Sequence, residues 1–417
     1  MRNLDHEAVL RARVLLLASG ELDPWRALGA YRVLAEVSPR AYAPRLAEAL
    51  LGHRRRTDVP EHRLALAEEA ATAARRCAGD SPRGARALRA ALGAYEHELF
   101  AAGRREEGRA VCAELAETGA YGRLATVLAE DGRHAEAAEL HELRLGGAAA
   151  AGPGAPGASE VSEVSDWTLI GWAAELDAAG RTERALEVFG RLVDGKRRRA
   201  AADRAPLAVL VWLLHHYAGM LADADRPAEA ATARREASDA LDRLAAGGEP
   251  VSWSDIRATW VTLFALSGRR DEPAATPGAP VPALGTYAGH GWSPDVRAAW
   301  SASVPELERA AAAAGGPPEA VVVQRRLTVR RAMRWEFCGP RDGAALLPSY
   351  DEGIALARAL PDDGGAATRA TAARALADRA MFLLALKRYG EARRDFAEAA
   401  GLSGGPVSPI SHPTSPK

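Results

Sequence analysis

The stretch 121–145, YGRLATVLAEDGRHAEAAELHELRL, has the pattern of two short amphipathic helices separated by a turn. In its first half, Tyr121, Leu124 and Leu128 are three and four residues apart, so they share one face of a helix. Gly132 can end this helix in the left-handed conformation that other residues avoid. Because a hairpin this short cannot bury its own apolar face, we predict that it stacks on further hairpins.

The spacing in this stretch resembles that of the tetratricopeptide repeat (TPR), a helix-turn-helix unit of about 34 residues. The TPR positions fall in order on Tyr121, Leu124, Ala125, Leu128, Gly132 and Ala137. A later copy falls on Leu376, Ala380, Leu383, Lys387, Ala392 and Phe396, with Lys387 in place of the turn glycine. The resemblance implies an all-α fold, arranged as a right-handed α-solenoid of TPR-like helix-turn-helix hairpins.

Similar turns are predicted at 103, 180, 225, 268 and 387, and Pro/Gly-rich segments separate the helical patterns. The predicted organisation is an N-terminal TPR-like helical block over 1–145, a flexible linker over 146–165, a central TPR-like block over 166–267, a Pro/Gly-rich linker over 268–294, a C-terminal helical block over 295–402 that ends in a TPR-like hairpin, and a disordered tail over 403–417. Embedded aromatic residues such as Trp292 suggest that the second linker is ordered against the helices.

Composition excludes several classes of protein. The 417 residues contain 54 basic and 55 acidic side chains, and this balance argues against bulk attraction to nucleic acid or to an anionic membrane. Cys77, Cys112 and Cys338 are far apart and lack CxxC spacing, which fits a reducing compartment. The longest apolar run, 205–214, is about half a bilayer span. We therefore expect a cytoplasmic protein without membrane or direct nucleic-acid contacts.

The sequence lacks common catalytic and metal-binding motifs. None of its three lysines lies in a P-loop, and HExxH and GxSxG are absent. His134 and His141 lack a third ligand, and the adjacent His215 and His216 point about 100° apart on a helix, which does not suit a shared metal. We expect no catalytic residue, cofactor or metal.

A concave groove is implied by the resemblance, because the first helix of each TPR hairpin lines it. The positions expected to face the groove are His97, Thr126, Glu130, Trp167, Ile170, Asp177, Trp212, His215 and Asp223. Trp167 and Trp212 either anchor a ligand or fill the interface between hairpins. These positions offer no Asn and few cations, which argues against the carboxylate clamp of chaperone-binding TPR domains and favours an apolar or basic ligand.

The segment 321–337 carries a candidate basic face. Arg326, Arg330 and Arg334 recur every four residues. They lie opposite Val321, Val329 and Met333. This stripe is either a solvated helix face or a contact for an acidic partner or an RNA backbone.

The expected function is that of a non-catalytic interaction or scaffold module that binds another protein, as a peptide or helix, in the groove. One alternative is the sensor or regulatory arm of a signalling or transcription system that acts with a separate effector chain. Another alternative, a helical enzyme, requires a pocket that converges on Glu130, Asp177 or His215.

Overall fold

The computed structural model describes residues 6–17, 23–79, 81–150, 165–252, 256–287, 291–338, 343–361 and 365–403. Residues 151–164 of the predicted flexible linker and residues 404–417 of the predicted tail lie outside this set. Every regular element of the described residues is helical, so the predicted all-α class is confirmed. By its internal contacts the chain divides into two compact units.

The first unit comprises Met1–Leu128, Glu139–Gly152 and Ser293–Val296. Its complete helices are α1 (His6–Leu17), α2 (Pro24–Val37), α3 (Pro39–Arg54), α4 (Pro60–Arg75), α5 (Pro82–Ala101) and α6 (Arg105–Glu117). Proline occupies the first turn of α2 to α5, where its missing N–H is not needed. Each of these helices packs on the next, around a core that includes Leu50, Leu92 and Leu99. Two further helices, α7 (Gly122–Glu130) and α8 (His134–Ala150), contribute residues to both units, and α8 continues into the predicted linker 146–165.

The second unit comprises Ala129–Ala138, Pro153–Trp292 and Arg297–Lys417, so it joins the predicted central and C-terminal blocks. Its first helices are α9 (Asp166–Ala178), α10 (Thr182–Ala201), α11 (Leu207–Asp223), α12 (Pro227–Gly247) and α13 (Ile256–Ser267), followed by the 3-10 helix Arg269–Asp271. After α14 (Pro294–Ala302), which begins in the first unit, come α15 (Val304–Ala313), α16 (Pro317–Cys338), the 3-10 helix Gly343–Leu346, α17 (Leu347–Arg358), α18 (Ala366–Ala385) and α19 (Tyr389–Leu402).

Two kinds of contact hold the second unit together. Consecutive helices pack on each other from α9 to α12 and from α15 to α19. Helices distant in sequence also pack: α13 contacts α11, α16 and α18, and α19 contacts α12. An aromatic cluster joins α13, α17 and α18, where the rings of Trp260 and Tyr350 lie 5.1 and 4.8 Å from the ring of Phe382. The last hairpin is therefore packed on helices that lie much earlier in the chain.

Five of the predicted turns share one backbone geometry. Each has a residue with positive φ: Gly103, Gly132, Gly180, Asp225 and Lys387. At four of them the N–H of the following arginine donates to a carbonyl five residues earlier, as in a Schellman motif; the pairs are Arg104 to Leu99, Arg181 to Leu176, Arg226 to Leu221 and Arg388 to Leu383. The turn at Gly268 differs, because its φ is −90° and a 3-10 helix follows.

An arginine–glutamate pair accompanies most of these turns. The arginine after the positive-φ residue binds a glutamate in the first turn of the next helix; the pairs are Arg104–Glu107, Arg133–Glu136, Arg226–Glu229 and Arg388–Glu391. The glutamate also lies near the positive end of the helix dipole. The repeated signature is thus a positive-φ residue, then Arg-x-x-Glu.

Replacing Lys387 by glycine should stabilise the second unit. Lys387 has a φ of 61°, where a side chain costs about 1–2 kcal/mol, and glycine removes this cost while adding unfolded-state entropy. We expect Lys387→Gly to raise the free energy of unfolding by about 0.5–1 kcal/mol in urea denaturation.

The matched control is Gly180→Ala. Gly180 has a φ of 75°, and a Cβ added there meets no atom within 4 Å, so only backbone strain is tested. This variant should lose about 1 kcal/mol. Equal stability of the wild type and both variants would contradict the importance of the backbone conformation.

The predicted linker 268–294 contains little helix, but its described part is packed. The Trp292 side chain is 2% exposed, and its indole N–H donates to the Ala283 carbonyl at 3.1 Å. Arg269 donates to the Leu284 carbonyl at 2.6 Å. These two contacts lie within the segment itself. The Val281 N–H also donates to the Glu130 carbonyl of α7 at 2.9 Å, which ties the segment to a helix.

Across the parts of the chain that the structure describes, no helix combines the length and the apolar character needed to cross a membrane.

Candidate functional site

A cavity of about 400 Å³ lies within the second unit and is called here the α11 cavity. Its walls come from α9, α11, α18 and α19, with single contributions from α10 and α12, the end of α13 and the 3-10 helix Arg269–Asp271. Several lining residues are exposed, among them Gly219, Ala370 and Arg374, so the cavity opens at the surface. Its volume is in the usual range for ligand pockets.

The apolar wall of the α11 cavity combines small residues with two ring pairs. Alanines from α9, α18 and α19 leave the space between the helices unfilled. His215 lies edge-on to Phe396 with ring centroids 5.9 Å apart, and His216 lies 5.1 Å from Phe189. The wall thus offers flat aromatic surface beside a broad alanine-lined space.

Three of the arginines that line the cavity are held by other groups of the chain. Arg269 binds Glu175 at 3.1 Å, and Arg270 binds Asp223 at 2.9 Å. Arg374 binds Asp271 at 2.9 Å and also donates to the Ser267 carbonyl. A fourth arginine, Arg234 on α12, is half-buried at the same cavity. The two lining carboxylates are Asp177 and Asp223.

The surroundings of His215 disfavour protonation of its imidazole. Burial lowers its pKa to about 4. The negative charge of Asp378 opposes this shift, whereas the positive charges of Arg234, Arg325 and Arg374 add to it. The imidazole is therefore neutral at pH 7. The arginines that help to lower its pKa lie on several different helices.

The pKa of His216 is lowered for the same reasons. Burial lowers its pKa to about 3, and the charges of His215 and Arg269 add to the shift. Two neutral imidazoles thus stand side by side on α11.

Acidification should destabilise the second unit through these two histidines. Their ordinary pKa of 6.5 applies in the unfolded chain, which therefore takes up protons below that pH while the folded state does not until about pH 4 and 3. The stabilising contribution is fully present above pH 6.5 and is lost as the pH falls toward 4. We expect a loss of about 1–3 kcal/mol between pH 7 and pH 5.

The measurement is the free energy of unfolding at both pH values, compared with the double variant His215→Gln, His216→Gln. The variant should lose clearly less stability on acidification than the wild type, because carboxylate titration is common to both. Parallel losses in the two proteins would assign the effect to other groups.

A second, smaller cavity of about 190 Å³ is lined by residues of α13, α16, α17 and α18. Phe264 and Tyr350 form its apolar wall. On the polar wall Arg325 donates to Asp271 and Asp378, each at 2.7 Å. This ion network is almost entirely buried.

The nine expected groove residues are divided between the two units. His97 and Thr126 belong to the first unit, where His97 is exposed and Thr126 is 8% exposed and donates to the Gly122 carbonyl. In the second unit, Asp177, His215 and Asp223 line the α11 cavity. The pocket postulated for a helical enzyme would thus contain Asp177 and His215, whereas Glu130 is not among its lining residues.

The remaining four expected groove residues are packed within the second unit. Glu130, Ile170 and Trp212 are at most 2% exposed. The Trp212 indole N–H donates to the Met381 carbonyl at 3.0 Å, so this side chain fills a helix interface and is not an exposed anchor. Trp167 is half-buried against Tyr287, with ring centroids 4.7 Å apart.

The candidate basic face is not a solvated stripe. Arg330 is 5% exposed, binds Glu272 and Ser303, and lies over the Trp300 ring at 3.5 Å. Arg326 also binds Glu272, at 3.2 Å. Arg334 alone of the three is exposed. The prediction is corrected because α16 uses two of these arginines to hold Glu272.

Sequence reasoning missed the arginines of the α11 cavity. The TPR resemblance assigns groove residues to the first helix of each hairpin, whereas these arginines lie on α12, α18 and the 3-10 helix Arg269–Asp271. The α11 cavity therefore contains more cations than the expected groove positions, whereas the preference for an apolar or basic ligand stays a prediction. One signal was readable: Ala230, Arg234, Ala237 and Leu241 follow the four- and three-residue spacing of a buried helix stripe.

Within the described residues, no cluster of three or more His, Cys, Asp or Glu side chains is arranged to hold a metal ion.

Comparison with known proteins gives no family assignment: no protein-family model matches the chain, and no curated protein matches it either.

Proposed function

We propose that the chain is a non-catalytic protein-interaction module whose second unit takes up a peptide segment of a partner protein in the α11 cavity. The observation that carries the proposal is the cavity itself, which has a volume of about 400 Å³, alanine-rich walls and charged residues in its lining. An extended segment or one turn of helix fits such a space, with apolar side chains against Phe396 and the alanines.

We further propose that the helices are divergent TPR-like hairpins in a solenoidal arrangement. The recurrent Schellman turns and the packing of consecutive helices support this assignment. The contact between α12 and α19 is a departure from a simple linear array. TPR-like architecture is typical of interaction modules, which supports the functional proposal by analogy.

The proposal is tested by selecting short random peptides, displayed on phage, against the immobilised full chain. Recovered peptides are synthesised and titrated against the wild type and a cavity-filling variant, Gly219→Trp. Gly219 lines the cavity, and a Cβ added there meets no atom within 4 Å, so the indole can enter the open space. We expect at least a roughly tenfold loss of affinity, since the peptide and the indole compete for one volume.

The matched control is Gly195→Trp on α10. Gly195 also has free space at its Cβ position, but it does not line the cavity. Peptide affinity should stay within about twofold of the wild type. The proposal fails if no peptide is recovered, or if both tryptophan variants bind the peptides equally well.

A further inference from the structure

Arg234 occupies a position that the pattern of its helix reserves for buried residues. On α12, Ala230, Ala237 and Leu241 are each 0% exposed, and Arg234 follows Ala230 by four residues and precedes Ala237 by three. Its side chain lines the α11 cavity and is half-buried. The neighbouring Arg235 is exposed and donates to Thr232. Adjacent arginines on one helix thus have different surroundings.

No acidic group among the described residues compensates Arg234. It makes no hydrogen bond or ion pair there, and burial, with no opposing carboxylate, lowers its pKa. Arg197, on the neighbouring helix α10, shows the contrast, because its hydrogen bond to Glu236 raises its pKa. Burying a cation without a compensating acidic group costs free energy. A ligand that supplies an acidic group to the cavity would offset this cost.

The other charged residues of the α11 cavity do not compensate the charge of Arg234. Arg269 and Arg374 are positive, and each already has an acidic partner. Asp223 is held by Arg270. Asp177 lines the cavity, but no carboxylate of the described residues shifts the pKa of Arg234. Because the other arginines and Asp223 are already paired, the cavity wall carries an uncompensated positive charge at Arg234.

We infer that Arg234 anchors a carboxylate of the bound segment, so that the partner presents an Asp or Glu side chain flanked by apolar residues. This inference rests on the proposed function and specifies its ligand. The guanidinium supplies two parallel N–H donors to the carboxylate, and the half-buried setting strengthens this pair relative to a surface ion pair. The apolar flanks lie against Phe396 and the alanines of α18 and α19.

A pair of small probes tests the anchor directly. 4-Phenylbutyrate and its neutral counterpart 4-phenylbutanol are titrated by calorimetry into the full chain. The wild type should bind the carboxylate roughly 10- to 100-fold more tightly than the alcohol, as expected for a charge-assisted hydrogen bond. Raising the salt concentration should weaken the binding of the carboxylate and leave that of the alcohol unchanged.

Three variants locate the effect. Arg234→Gln should remove the preference for the carboxylate and leave the affinity for the alcohol unchanged, whereas Arg234→Lys should retain part of it. Arg235→Gln is the matched control and should behave as the wild type, because Arg235 is exposed and does not line the cavity. A preference that persists in Arg234→Gln, or no preference in the wild type, would overturn the inference.

Peptides recovered by the display experiment separate this inference from the proposed function. Replacing the acidic residue of such a peptide by its amide should cost roughly tenfold or more with the wild type and nothing with Arg234→Gln, whereas amidation of the peptide C-terminus should have no effect. Peptides that bind the cavity without needing an acidic side chain would overturn the inference alone. Binding of 4-phenylbutyrate without binding of any peptide would overturn the proposed function, and with it the peptide ligand, and would leave a carboxylate site for another kind of molecule.

Discussion

Arg325→Met should destabilise the second unit by about 3–5 kcal/mol, because it leaves a buried carboxylate without its cation. The Arg325 side chain is 10% exposed and binds Asp378, which is 11% exposed, at 2.7 Å. Asp271 keeps Arg374 as a second partner, whereas Asp378 has no other ion-pair partner among the described residues. The measurement is the free energy of unfolding in urea, followed by far-UV circular dichroism.

The control for this prediction is Arg358→Met. Arg358 and Glu398 also form an ion pair between helices of the second unit, but their side chains are 55% and 48% exposed. Water screens this pair, so the loss should be at most about 1 kcal/mol. Adding Asp378→Asn to the Arg325→Met protein should recover part of the lost stability, because it removes the uncompensated charge. An Arg325→Met protein as stable as the control would contradict the importance of burial.

Trp212→Ala should destabilise the second unit by about 3–5 kcal/mol. Its side chain is 2% exposed, so truncation leaves a large cavity, and the Met381 carbonyl loses its indole donor. The unfolding midpoint should fall accordingly. Had Trp212 been an exposed ligand anchor, the same change would have affected binding and left the stability nearly unchanged.

Trp25→Ala is the matched truncation. Trp25 is 60% exposed and contacts His53 with ring centroids 4.0 Å apart, so its loss should cost no more than about 1 kcal/mol. Two tryptophan truncations with similar small costs would show that Trp212 is not the packing residue described above.

Local features of the fold could be predicted from the sequence. The turns at Gly103, Gly180 and Lys387 depend on residues only a few positions apart, because a Schellman turn is closed by bonds within one segment. The spacing of apolar residues likewise predicted helices, and the all-α class followed. Such features need no knowledge of what covers each helix.

The candidate site could not be predicted to the same extent, because it depends on contacts between distant segments. Trp212 is on the expected first helix of its hairpin, but it is covered by Met381, 169 residues later in the chain. Arg330 was placed on a basic face, yet its partner Glu272 is 58 residues away in the predicted linker 268–294. Periodicity specifies the face of a helix, not the element that packs on it.

For Arg234, by contrast, the sequence contained a usable signal. A cation at the spacing of a buried stripe is exceptional, and here it marks a position where no acidic group of the described residues compensates the charge. The TPR resemblance did not predict Arg234 as a site residue, because it assigns the groove to the first helix of each hairpin.

The contact of α19 with α12 has a consequence for cooperativity. In an open repeat array each repeat touches only its neighbours, so terminal repeats fray and stability grows stepwise along the chain. Here the final hairpin also packs on a helix about 150 residues earlier, where Arg393 binds Asp242. Unfolding α19 therefore exposes α12 as well, and neither helix can melt as a free end. The second unit should accordingly unfold in one concerted transition, with the α11 cavity persisting until the unit as a whole is lost.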